Sequence, residues 1–260
     1  MCIETNLLLH LPLNNFGFYS FVFGATIAQY NLHYLVKKRA VTNSERFSWS
    51  STHKVTHLWL LLFGGLLMTI SIFSFHINHF AALGAMAIIS ILYSLPILPF
   101  KKKKRIKDFG LLKIITLALL WTMVTVWFPL VEVKYPAISF QFIFLRRFLF
   151  IFILCLMFDV RDRNVDGDAG INTLPVIIGV KNSIKICYIL LLVFMSISLI
   201  ENYYTSDLPE LWSMIVSGIC TFFIIFFRRK NNNDYYYLAG IDGMMLLQAL
   251  IVIFCEKFII

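Results

Sequence analysis

Long apolar runs separated by short polar segments fill this chain from end to end. A helix needs about 20 mainly apolar residues to cross a bilayer. Eight stretches reach that length, near 16–36, 56–75, 79–99, 111–131, 138–158, 183–200, 209–227 and 235–256. Residues 1–13 contain LLLHLPL, which is too short to span. The pattern predicts an all-α, polytopic transmembrane bundle of about eight spans. No internal repeat and no linker divides it, so residues 1–260 are expected to form a single membrane domain.

Composition agrees. The chain is 59% hydrophobic and 14% charged, with a mean hydropathy of +0.79, which excludes an ordinary soluble domain. The opening MCIETNLLLH lacks a basic segment and a full apolar core, so no cleavable signal peptide is expected. The five cysteines show neither metal nor disulfide spacing and read as small apolar residues.

Charge adds topology. The net charge is +9, and 19 of the 23 Lys and Arg fall in four segments, 37–54, 101–113, 159–185 and 228–234. These are alternate loops, on one side of the membrane, and the loops between them are short and poor in basic residues. The positive-inside rule makes the basic side cytoplasmic. Both termini are then expected outside, in a bacterial-type inner (plasma) membrane. The positive charge is thereby explained by the lipid bilayer, and no nucleic-acid partner is expected.

One stretch breaks the apolar pattern. Residues 158–179, FDVRDRNVDGDAGINTLPVIIG, follow directly on an apolar run and are rich in acid groups. Ionisable groups at the edge of hydrocarbon are costly and mark function by default. Asp159, Asp162 and Asp166 stand at i, i+3 and i+7, which puts them on one face if the preceding helix continues. Carboxylates gathered this way repel one another unless a cation intervenes. Mg²⁺ suits them, because it takes oxygen ligands from one or two carboxylates plus the phosphates of a substrate. Asp159, Asp162 and Asp166 are therefore the candidate metal ligands. Asp159 has an alternative role in orienting Arg161. Asp168 falls on the opposite face and is left out.

The same residues carry a resemblance. Asp162-x-x-x-Asp166-x-x-x-Gly170, then Thr173-Leu174-Pro175 and Gly179, resembles the second aspartate-rich motif of the UbiA superfamily of intramembrane prenyltransferases. Asp159-Val160-Arg161-Asp162 is similar to that family's D-I-R-D lead-in. The segment from Tyr93 to Lys101, YSLPILPFK, is similar to its Y-S-x-P-x-x-x-x-K segment, whose Tyr and Lys approach the diphosphate. The family has nine spans, so residues 1–13 would be a remnant of the first.

The resemblance implies transfer of a prenyl group from a prenyl diphosphate to a lipophilic acceptor, often an aromatic or quinone-precursor ring. Mg²⁺ on Asp162 and Asp166 would hold the diphosphate, with Lys101 as a further catalytic cation. Substrate-binding candidates are Asn31, His33, Tyr93, Lys113, Arg161 and Asn172. Asn31 and His33 lie in a polar cluster, AQYNLHYLVK, where the family places its N-D-x-x-D-x-x-x-D motif. The best alignment sets Gln29, Tyr30, His33 and Lys37 at its ionisable and amide positions, and none of them is a carboxylate. Asn172 stands where relatives carry Lys or Arg. Lys113 opens a span and would either face the cavity or snorkel to the interface. Arg146 and Arg147 sit too far from the acid groups for chemistry, and pairing with another span or with outer headgroups suits them better.

The losses in the first motif leave an alternative, a catalytically impaired member that binds or carries prenyl diphosphate or lipid. A transporter ranks last, because polar groups concentrate on one side and no halves repeat.

Overall fold

The fold was analysed as a computed structural model, which describes residues 1–36, 52–94, 106–228 and 235–258. Among them every regular element is helical. A short helix α1 spans Cys2–Leu8, followed by α2 (Phe16–Val36), α3 (Lys54–Ser71) and α4 (Ile77–Ser94). Then come α5 (Gly110–Thr122), α6 (Ala137–Asp168), α7 (Leu174–Ile177), α8 (Gly179–Thr205), α9 (Leu208–Phe227) and α10 (Gly243–Phe258). A 3₁₀ turn at Ile72–Ser74 extends α3, and π and 3₁₀ turns over Met123–Leu130 extend α5. A π-helical turn at Tyr236–Ile241 leads into α10.

Six of these segments are long and apolar enough to cross a membrane: Lys54–Ser74, Ile77–Ser94, Gly110–Leu130, Gly179–Thr205, Leu208–Phe227 and Tyr236–Lys257. The other two stretches expected to span are also helical. α2 has 21 residues and carries the polar QYNLH cluster. α6 has 32 and carries two buried arginines. Large side chains such as Trp59, Leu192 and Phe254 point outward, as lipid-facing helices require. The protein is an integral membrane protein.

Two compact units are distinguished, Asn14–Ala81 and Met1–Leu13 together with Ala82–Ile260. In the smaller unit, α2 and α3 pack at glycines. A Cβ on Gly24 would lie 2.7 Å from the Gly64 carbonyl oxygen, and one on Gly64 would lie 2.6 Å from that of Gly24. Only glycine allows backbones this close. Phe75 stacks on His79, with ring centres 4.9 Å apart.

In the larger unit α6 is the central helix, flanked by α5 and α8. At about 1.5 Å per residue its 32 residues run roughly 48 Å, well beyond a hydrocarbon core of about 30 Å. Phe150, Ile153, Leu156 and Met157 are fully enclosed, and Phe150 meets Phe194 of α8 at 5.8 Å.

Helix α1 docks in this unit through polar contacts. Pro129 has no N–H to give the Thr125 carbonyl four residues back. Thr5 supplies the missing donor, its hydroxyl reaching that oxygen at 2.7 Å. Glu4 of α1 accepts from Arg147 at 2.9 Å.

Arg146, beside it, donates to Glu210 of α9 and forms an ion pair with Glu201 of α8 at 2.7 Å. Arg146 thus joins spans, as its distance from the acid motif suggested, while Arg147 ties α6 to α1. Gly240 and Gly243, at the start of the last span, do not bring helices into close contact. A Cβ on Gly240 would make only ordinary contact with Ile224 at 3.6 Å, and one on Gly243 would meet nothing within 4 Å.

Candidate functional site

The apolar run of α6 passes into the acid motif without a break, and the helix ends at Asp168. Its C-terminus closes with a pair of backbone bonds, Gly170 N–H to the Gly167 carbonyl at 3.0 Å and Ile171 N–H to that of Asp166 at 2.8 Å. This cap needs a left-handed residue after the helix, and Gly170 supplies it at φ +69°. The motif glycine is there to stop the helix one turn past Asp166.

Helical geometry sorts the three carboxylates. At 3.6 residues per turn each residue advances about 100°, so Asp166 stands only about 20° from Asp159 around the axis, and Asp162 about 60° from it. Asp159 and Asp166 are brought together, both buried. Between them sits Lys113 of α5, its Nζ 2.9 Å from Asp159 Oδ1 and 3.1 Å from Asp166 Oδ2. The lysine therefore faces the acid groups and does not snorkel away.

Asp162 takes another partner. It receives two hydrogen bonds from Arg161, at 2.7 and 3.0 Å. The guanidinium carbon lies 5.0 Å from the Phe158 ring centre and 5.6 Å from that of Tyr237, a placement that favours a cation. Arg161 is thus oriented by Asp162 and two aromatic rings; the acid beside Lys113 is Asp159.

Close packing holds Lys113 in place. A Cβ on Gly110, one turn before it, would collide with the Asn172 backbone carbonyl and lie 2.8 Å from the Thr173 Cα. Glycine at 110 thus lets α5 abut the motif loop. Asn172 exposes its side chain, whereas Thr173 is fully enclosed. Among the described residues, Asp159 Oδ2 and Thr173 Oγ1 are buried without a hydrogen-bond partner.

Other candidates are placed as follows. Tyr93 is half-buried near the end of α4. Asn31, in the smaller unit, is buried, bonds its side-chain N–H to the Ile27 carbonyl at 2.8 Å and pairs with His57 Nδ1 at 2.7 Å. The His57 ring stacks on Tyr34 at 5.0 Å. Lys37, Lys101 and the side chain of His33 lie outside the described residues. Gly110, Tyr237 and His57 were missed from the sequence. A glycine just ahead of a span-opening lysine was the one available signal, and nothing local marks the other two.

Among the described residues no three His, Cys, Asp or Glu side chains gather closely enough to hold a metal by themselves. Mg²⁺ does not require that many, since one or two carboxylates completed by substrate phosphates suffice. The unpartnered Asp159 Oδ2 beside Asp166 is a hard oxygen donor of the kind it takes. The donor set fits the ion. In the fold as it stands, the cation between the two acids is an ammonium.

Comparison with solved structures gives the same architecture. A UbiA homolog from Archaeoglobus fulgidus bound to Cd²⁺ is 16% identical, with a TM-score of 0.61 over 94% of this chain and 87% of that one. A UbiA homolog from the same organism bound to GPP and Mg²⁺ is 13% identical, with a TM-score of 0.57 over 98% and 86%. A digeranylgeranylglyceryl phosphate synthase is 15% identical, with a TM-score of 0.60 over 98% and 90%. No curated protein matches in sequence. The sequence model described as the UbiA prenyltransferase family matches residues 37–237, a span that contains the acid motif, Lys113 and the segment from Tyr93. This chain belongs to the UbiA prenyltransferase family.

Proposed function

We propose that the protein is a Mg²⁺-dependent prenyltransferase, moving a prenyl group from a prenyl diphosphate to a lipophilic acceptor of the aromatic or quinone-precursor kind. The observation that carries this reading is the pairing of Asp159 and Asp166 at the end of α6, with Asp162 beside them, inside the region the family model matches. Solved homologs hold GPP or DMAPP together with Mg²⁺, which supports the same donor and ion here.

Asp159, Asp162 and Asp166 would hold the ion. Its chemistry is that of a Lewis acid on diphosphate oxygens, easing departure of the leaving group. Arg161, already fixed between Asp162 and two rings, directs positive charge toward the same region. Lys113 and Lys101 add further cations, and such fixed charge stabilises a departing diphosphate. The carbon–oxygen bond of the donor breaks, diphosphate takes the electron pair, and the prenyl carbon is captured by the acceptor. The basic loops support a cytoplasmic location for this chemistry.

Prenyl transfer by purified protein with Mg²⁺ tests the reading. Asp162→Ala and Asp166→Ala should each abolish it, and undiminished transfer in both would overturn the mechanism.

A second reading has its own support. Lys113 already neutralises part of the acid pair, and Asn172 is an uncharged side chain where relatives carry a cation. Both fit a protein that binds or carries prenyl diphosphate without turnover. Lipids copurifying with the protein, identified by mass spectrometry, separate the two. A prenylated aromatic marks the enzyme, and an intact polyprenyl diphosphate marks the binder.

A further inference from the structure

Lys113 contacts both Asp159 and Asp166, bridging an oxygen of each at ion-pair distance. An ammonium and a divalent ion want the same thing here, a position between two carboxylates. They cannot share it. Two like charges that close, in a buried setting, repel strongly.

We propose that Lys113 is the resident counter-cation of the Asp159–Asp166 pair, and that a divalent ion enters only by displacing it. The inference rests on the metal reading above. It deepens that reading by making metal binding conditional.

The physical consequences follow from charge. With Lys113 in place, the pair has little appetite for free Mg²⁺. The buried Asp159 Oδ2 stays available, so the seat keeps an open oxygen donor. A diphosphate changes the balance. It brings its own oxygens for the metal and offers the released ammonium a new anionic partner. Metal and diphosphate then bind together far better than either does alone, a coupling of the kind that links two ligands through one displaced group. Lys113 is long enough to swing, and its side chain is the most exposed of the three, at 21% against 5% for Asp159 and 10% for Asp166. Gly110 fixes where that side chain starts.

The test uses Mn²⁺ as the probe and full-length protein in nanodiscs, with no diphosphate present. Free Mn²⁺ is counted by electron paramagnetic resonance. Lys113→Met keeps the length and removes the charge, and should bind Mn²⁺ on the order of tenfold more tightly than the unmodified chain. Lys113→Arg should remain as weak as the unmodified chain. Equal or weaker binding by Lys113→Met overturns the proposal.

A second measurement needs no variant. Reductive methylation of Lys113, read by mass spectrometry, should speed up when saturating Mg²⁺ is added, because the amine has left its carboxylates. Methylation indifferent to Mg²⁺ overturns the proposal even where Lys113→Met fails to fold. Tighter Mn²⁺ binding by Lys113→Met, together with no prenyl transfer by the unmodified protein, would keep this inference and discard the enzyme. Prenyl transfer by the unmodified protein, with Mn²⁺ binding unchanged in Lys113→Met, would do the reverse.

Discussion

Helix α6 carries two ion clusters, and they are built from nearly the same parts. The inner one sets Arg146 and Arg147 against Glu4, Glu201 and Glu210. The one near the helix end sets Lys113 and Arg161 against Asp159, Asp162 and Asp166. Among the described residues, each sets three carboxylates against two side-chain cations. Each also leaves buried carboxylate oxygens without a hydrogen bond among the described residues, Glu4 Oε1 and Glu201 Oε1 in one and Asp159 Oδ2 in the other.

What separates the two clusters is access. In the inner cluster no side chain is more than 5% exposed. In the outer one Asp162 is 39% exposed. An orphaned oxygen therefore does not by itself make a site. It becomes one where a ligand can reach it. The choice of cation agrees. Arginine's fork suits permanent burial between spans, whereas lysine is a single mobile charge that can be given up.

Loss of an acid at the outer cluster should have the largest effect on function. Asp159→Ala is expected to reduce prenyl transfer by about a hundredfold or more, the scale on which removing one group that stabilises a leaving charge acts. The unfolding midpoint should hardly move, because Lys113 retains Asp166. A turnover assay alongside thermal unfolding checks both halves.

Arg146→Met should show the opposite profile. It strands Glu201 and Glu210 in the bundle, and breaking a buried pair from one side costs about 3–5 kcal/mol. Protein that does fold should retain its transfer rate. Denaturant unfolding, with activity normalised to folded protein, reads this out. A large stability loss in Asp159→Ala, or a large rate loss in folded Arg146→Met, would break the distinction between the clusters.

Gly110→Val comes next. Its side chain runs into the Asn172 carbonyl, so α5 must shift, with overpacking costs of about 1–3 kcal/mol. Because Lys113 moves with α5, Mn²⁺ binding should change as well as stability. Gly24→Val, in the smaller unit, should destabilise without touching the acid pair.

The smallest effect on function is expected at α1. Thr5→Val leaves the Thr125 carbonyl without its donor, at about 1–3 kcal/mol, and transfer should be unaffected.

The bundle was legible because a spanning helix announces itself in 20 apolar residues, and among the described residues every stretch expected to span contains a long helix. The acid motif was legible for a related reason, since charge at a membrane edge stands out. Its internal pairing was not. The spacing i, i+3, i+7 puts three acids on one face, with Asp159 and Asp166 closest in angle, but it does not show that those two share a cation. That Lys113 meets them depends on how closely α5 approaches, and this is set by a glycine one turn away. The Thr5 bond to Thr125 was hidden in the same way. Proline 129 frees a carbonyl in any sequence reading, yet only tertiary structure says which hydroxyl comes to it. Contacts between distant segments leave no periodic trace.

Binding of geranyl diphosphate to the purified protein, titrated with and without Mg²⁺, tests the central claim most directly. Saturable binding that needs the metal and disappears in Asp166→Ala is the predicted result. Binding that ignores both the metal and Asp166 would contradict it.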